Sequence, residues 1–174
     1  MRVAVIVGST REGRVGDSVA SWFAGVAKQR VGVEVGLVDL ADFDFPARLP
    51  QRATAEMNRF TAAVGAADGF VVVTPEYNRS FPASLKQAID FAYDEWHAKP
   101  VGFVSYGVGS HGDHAVAALR VVFAELHTVT MRDYVAVDLM VAEPGPAHEP
   151  AATVLMDQLV WWGEALRAAR PYIA

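Results

Sequence analysis

The chain contains no cysteine. Disulfides, thiol redox centres and iron–sulfur ligation are thereby excluded, and any redox chemistry must use a bound cofactor. No apolar run reaches the ~18 residues of a membrane span, so no membrane partner is expected. The first residues enter a β-forming stretch at once, without a signal-peptide pattern, and a cytoplasmic location is expected. Positive charge is not in excess: 15 Lys and Arg stand against 20 Asp and Glu, a formal net charge of −5. That balance argues against nucleic acid and anionic membrane as main partners. No catalytic triad or pair of carboxylates is evident, and no repeat or low-complexity segment. No catalytic side chain is therefore assigned.

What is present is a large apolar complement, 52% of 174 residues. One domain spanning 1–174 is expected, burying about 70% of its unfolded surface. Strands and helices alternate. Val3 to Val7 reads as a strand, followed by a helix near 16–29 with Val15, Val19, Trp22, Phe23 and Val26 at helical spacing. A second strand is expected over Val31 to Val38, then a proline-bearing loop from Asp39 to Gln51 and a helix near 53–66. Gly69 to Thr74 is a continuous apolar run, the mark of a strand buried on both faces. The third helix starts after Pro82, with Leu85, Ala88, Ile89, Ala92 and Trp96 on one stripe. Pro100 to Ser105 is the fourth strand. Val116, Leu119, Phe123 and Leu126 mark the fourth helix, a fifth strand lies within 128–139, and a Pro/Gly loop from Glu143 to Pro150 leads to the fifth helix. Five βα units predict an open α/β fold, flavodoxin-like: a five-stranded parallel sheet of order 2-1-3-4-5 with helices on both faces.

The most informative segment joins the first strand to the first helix: Gly8-Ser9-Thr10-Arg11-Glu12-Gly13-Arg14-Val15. A small, hydroxyl-bearing, doubly basic loop before a helix N-terminus suits a phosphate. Backbone N–H groups and the helix dipole face the anion, Ser9 and Thr10 add hydroxyls, and Arg11 and Arg14 add charge-assisted bonds. The bland alternative is a plain βα turn with solvated arginines. Gly8 and Gly13 have P-loop spacing, but Arg14 and Val15 stand where that motif needs Lys and Ser/Thr. Gly107-Val108-Gly109-Ser110-His111-Gly112 fits G-x-G-x-x-G, yet that fingerprint normally sits on the first βα turn. These later glycines are expected to let backbone approach a flat ligand closely.

In such a sheet, ligands bind beyond the carboxyl ends of the strands, at the switch between strands one and three. Three loops should converge there. The first suits a phosphate. The second, Pro75-Glu76-Tyr77-Asn78-Arg79-Ser80, offers a proline turn, an aromatic ring and an amide for a heterocycle edge. The third, Ser105 to Ser110, offers Tyr106 for stacking, plus glycines. A phosphate at one end and a planar ring between the other two loops describe a mononucleotide, and FMN fits best.

Gly8-Ser9-Thr10-Arg11, Pro75-Glu76-Tyr77-Asn78 and Ser105-Tyr106-Gly107 together resemble the NADPH-dependent FMN reductase family, which includes quinone, chromate and azo-dye reductases. The resemblance runs from Val3 to about Val137. It implies FMN as cofactor, with NADPH or NADH as hydride donor and a quinone-like acceptor. It implies that Ser9, Thr10, Arg11, Arg14, Val15 and Gly16 hold the phosphate, and that Pro75, Glu76, Tyr77 and Asn78 line one edge of the ring. Ser105, Tyr106, Gly107 and Gly109 would cover its other side. It also implies a homodimer or homotetramer. Two departures stand out. Arg14 replaces a residue that is Ser in many relatives, and it is expected to bind phosphate or to reach a neighbouring subunit. His111, Asp113 and His114 occupy a loop that is commonly neutral in relatives; a metal reading there lacks a third ligand, and no metal is assigned. Asp17 should face away from the phosphate. Glu76 either caps a helix or orients the nicotinamide. The competing classes are a one-electron flavodoxin-type carrier, a flavin reductase serving a monooxygenase, and a non-redox regulator.

Overall fold

A computed structural model describes residues 1–141 and 143–169. The sheet is parallel. β1 (Arg2–Val7) lies between β2 (Glu34–Asp39) and β3 (Gly69–Pro75), and β4 (Pro100–Gly107) follows β3. Beyond β4 come two short strands, β5 (Val129–Thr130) and β6 (Val135–Asp138), both paired with β4. The order β2-β1-β3-β4-β5 is the flavodoxin-like one.

Side-chain alternation along the strands divides the core in two. Ala4, Ile6, Phe70 and Val72 pack against α2 (Ala55–Ala66), α3 (Ala83–Phe91) and α4 (Asp113–Glu125). Val3, Val5, Val7, Val71 and Val73 pack on the opposite face against α1 (Gly16–Ala27) and α5 (Glu149–Ala169). β3 is buried at every residue, as its unbroken apolar run requires.

Three expectations are refined. The fifth strand is interrupted. β4 pairs Pro100 with Val129 but Val104 with Val135, so the outer segment carries two extra residues between its halves. Arg120 takes up the freed polar groups there, donating to the carbonyls of Met131 at 2.6 Å and Arg132 at 2.8 Å. The third helix stops at Phe91, short of Trp96. Trp96 enters the core from a 3-10 turn, Asp94–Trp96, and its indole N–H donates to the carbonyls of Ile89 and Ala92. Both carbonyls lie at the end of the helix, where intrahelical donors run out, and that of Ile89 also accepts from the Ala92 amide at 3.3 Å. The second strand starts at Glu34, after a turn at Arg30–Gly32, rather than at Val31.

Candidate functional site

The loops leaving β1, β3 and β4 meet at the carboxyl edge of the sheet around a cavity of about 420 Å³. Ser9, Arg11, Gly13, Arg14 and Val15 line it from the first loop. Pro75, Glu76 and Tyr77 come from the second, and Tyr106, Gly107, Val108 and Ser110 from β4 and the third. Leu139, just after β6, closes the remaining side. Nothing in the sequence marked Leu139. It reaches the site because its amide donates to the Gly107 carbonyl at 3.1 Å, extending the outer strand pairing.

The first loop is held from below. Gly8 continues the ladder of β1, its amide donating to Val73 at 2.9 Å, and Ser84 donates to the Gly8 carbonyl. Ser9 is buried, and its hydroxyl lies 3.1 Å from that of Tyr77, linking the first and second loops. Helix α1 begins at Gly16 after Val15, whose side chain caps nothing. Its first-turn N–H groups therefore have no side-chain acceptor from the N-cap. Arg11 and Thr10 are exposed on the rim, and Thr10 does not line the cavity. Asp17 is exposed and outside the lining, bonded to the Ser18 amide.

Arg14 takes neither expected course alone. Its guanidinium pairs with both carboxylate oxygens of Asp39, at the end of β2, with one bond at 2.6 Å. It also donates to the Ser9 carbonyl at 2.5 Å. The Asp39 hydrogen bond raises the Arg14 pKa above its ordinary value. Arg14 thus ties the first loop to the neighbouring strand and still borders the cavity.

The second loop is a tight turn. Tyr77 and Ser80 exchange two backbone bonds, 2.8 and 3.0 Å, across Asn78 and Arg79, both at positive φ. Such a two-residue turn needs left-handed backbone at both central positions, which Asn tolerates well. Asn78 is exposed and does not line the cavity. Glu76 caps a helix, and the helix is α4. Its carboxylate accepts from the His114 amide at 3.1 Å and faces the His114 ring at 3.2 Å. Burial pushes the Glu76 carboxyl up, but bonds from Ser110 and from the His114 amide and ring outweigh it. The net result holds it below the ordinary carboxylate range.

In the third segment, Ser105 is fully buried and donates to the His111 carbonyl at 2.8 Å, so it braces the loop from beneath. Gly109 has positive φ and lies outside the lining. Gly112 is required by the loop itself. Its φ is +87°, and a Cβ there would lie 2.5 Å from Ser105 Cβ. His111 pairs with Asp138 at 3.2 Å. The amides of Met140 and Gly109, together with His111, hold the Asp138 carboxyl below its ordinary value against burial. Among the described residues no group of three His, Cys, Asp or Glu is placed to hold a metal ion. Tyr106 does not present its ring as an open stacking face. It is 4% exposed and packs with Val7 and Val19 in the α1/α5 core. Burial raises its pKa strongly. Gly16 is buried directly above it, with 2.6 Å between an ideal Gly16 Cβ and the Tyr106 hydroxyl.

A helix start without a side-chain cap, a basic loop and a cavity between two further loops meet at the switch point of a doubly wound sheet, an arrangement suited to a mononucleotide. The family model for NADPH-dependent FMN reductase matches residues 1–141. The chain belongs to that family. It is 37% identical over 123 residues to an NAD(P)H-dependent FMN reductase of Schizosaccharomyces pombe, covering 66% of this chain and 62% of that protein. The match therefore spans just under two thirds of that relative's length. It is 34% identical over 140 residues to a 2-hydroxy-1,4-benzoquinone reductase of Burkholderia sp, covering 75% and 74% of the two chains. The fold matches that of FerB, a flavoenzyme NAD(P)H:(acceptor) oxidoreductase of Paracoccus denitrificans. The TM-score is 0.76 at 23% identity, over 96% of this chain and 97% of that one. No helix among the described residues is long and apolar enough to cross a membrane.

Proposed function

We propose that this chain is a single-domain, FMN-containing oxidoreductase that passes hydride from NADPH or NADH to quinones or similar electrophilic acceptors. The observation that carries the reading is the 420 Å³ cavity at the sheet's switch point, bordered by Ser9, Arg11 and the open start of α1. A cavity of that size suits a planar cofactor. Its donors suit one with a phosphate: a buried hydroxyl, a guanidinium and a helix N-terminus. Family membership supports the same cofactor, and the named activity of the Burkholderia relative supports a quinone-like acceptor.

When bound, the flavin supplies two-electron chemistry between nicotinamide and acceptor. The chain's own part is binding and orientation. Ser9, Arg11 and the first amides of α1 hold the phosphate, with Arg14 steadying the loop through Asp39 and the Ser9 carbonyl. Pro75 to Tyr77 and Gly107 to Ser110 flank the ring. Glu76 ties the second loop to the end of the third by capping α4.

The protein works as a homodimer or homotetramer. Val108, in the cavity lining, and Met140 and Val141, which follow the lining residue Leu139, are 69%, 73% and 82% exposed. Apolar side chains gathered at a rim suit a second copy of the chain. A cytoplasmic location agrees with its reductants, which are intracellular metabolites.

The test is the absorption spectrum of the purified protein, followed by anaerobic titration with NADPH, then NADH, then a benzoquinone. Bound FMN, bleached by either nucleotide and restored by the quinone, is expected. A chain that binds no FMN, or whose FMN no nicotinamide bleaches, refutes the reading.

A further inference from the structure

The Tyr106 hydroxyl is fully buried and has no hydrogen-bond partner among the described residues. A phenylalanine would fill the same space without that penalty, so the oxygen calls for an explanation. It is aimed at the first turn of α1, 2.6 Å from where a Gly16 Cβ would stand. That helix is twelve residues long and has no side-chain cap at its start. Ser9 lies beside the hydroxyl and acts on its titration as a hydrogen-bonding neighbour, though the pair does not meet hydrogen-bond geometry, and the Ser9 Oγ is 3.1 Å from the Tyr77 hydroxyl. A serine hydroxyl has one proton to give and two lone pairs to receive.

Resting on the reading that a phosphate-bearing flavin binds here, we infer that Tyr106 is a positioning residue for the phosphate, acting through Ser9. When the phosphate reaches the start of α1, the Ser9 hydroxyl turns toward it. It donates its proton to a phosphate oxygen and accepts one hydrogen bond from Tyr106. The buried hydroxyl gains a well-aligned acceptor in the complex. Burial keeps Tyr106 protonated, so it remains a donor. The unpaired oxygen is a stability cost borne by the empty chain.

The experiment is Tyr106→Phe in the full chain, read by thermal unfolding without ligand and by calorimetric titration with FMN and riboflavin. The ligand-free Tm should rise by about 2–4 °C. The FMN Kd should rise about fivefold, while the riboflavin Kd stays within about twofold. Ser9→Ala should weaken FMN at least as much, and adding Tyr106→Phe to Ser9→Ala should cost FMN nothing further. A Tm that falls, an FMN Kd that does not move, or a loss shared equally by riboflavin overturns the inference. So does a full additional loss in the double variant. Wild-type protein that binds neither flavin refutes the parent reading, and this inference falls with it. Wild-type binding with indifference to Tyr106→Phe refutes this inference alone.

Discussion

Gly16→Ala should destabilise the native chain yet stabilise the Tyr106→Phe variant. At Gly16 an ideal Cβ would lie 2.6 Å from the Tyr106 oxygen, 3.3 Å from Val7 Cγ1 and 3.6 Å from Tyr106 Cζ. The first distance is below any ordinary contact, so the tyrosine or the helix start must move. Overpacking of this kind costs about 1–3 kcal/mol. Against it stands the gain of replacing Gly by Ala in a helical conformation, about 0.4–1 kcal/mol. The net effect in the native background is a loss of about 1–2 kcal/mol, a fall in Tm of roughly 2–8 °C for a chain this size. In Tyr106→Phe the offending oxygen is gone and the nearest remaining contacts can be met by small shifts. There the alanine should raise Tm slightly. A four-member cycle of thermal or urea unfolding measures the coupling directly, expected at about 1.5–3 kcal/mol. Equal effects of Gly16→Ala in both backgrounds would show that the hydroxyl is not what excludes a side chain there, and the packing argument would fail.

Arg11→Ala should weaken FMN binding about tenfold or more, because a charge-assisted bond is worth roughly 1.5–3 kcal/mol, while riboflavin binds both forms alike; an FMN Kd within about twofold of wild type refutes the phosphate role. Arg14→Ala should lower Tm more than it lowers FMN affinity, since the guanidinium is occupied by Asp39 and the Ser9 carbonyl, and the reverse ranking in paired unfolding and titration data would contradict that. The depressed Glu76 carboxyl contributes stability above the ordinary carboxylate pKa that is lost as pH falls through its lower folded value. Glu76→Gln should therefore flatten the acid side of the Tm–pH curve below about pH 4.5, the ordinary carboxylate pKa, and an unchanged acid slope tells against the capping role. Steady-state rates with NADPH and a quinone should give parallel double-reciprocal lines, because one flavin face serves both planar partners in turn; intersecting lines refute alternate occupancy.

The run of apolar β-formers at Val3–Val7, the unbroken apolar run at Gly69–Thr74 and the helical spacing after Val15 are local signals. They determined the βα order and hence the parallel sheet, because each side chain's face follows from backbone period alone. The position of the cavity followed from that topology, and the three loops were recognisable by their residue types. Partners across the fold were not legible. Arg14 and Ser9 belong to one loop, but Asp39 is reached only when β2 lies beside β1. Glu76 caps α4 because β3 and β4 are neighbours, and which helix it would cap could not be read from its own segment. Leu139 enters the site through the two-residue interruption of the outer strand, which leaves no periodic mark.

The sequence alone thus determined the layered α/β plan and a phosphate-suited first loop, since both rest on periodicity and residue chemistry within a few positions. Tertiary structure decided which of those residues reach the cavity. It bound Arg14 to Asp39, set Ser105 beneath its loop, and turned the Tyr106 hydroxyl under Gly16 instead of its ring toward the opening. These outcomes depend on which strand edges meet and how tightly their side chains fill the space between them, and close packing is a property of the assembled layers rather than of any one segment.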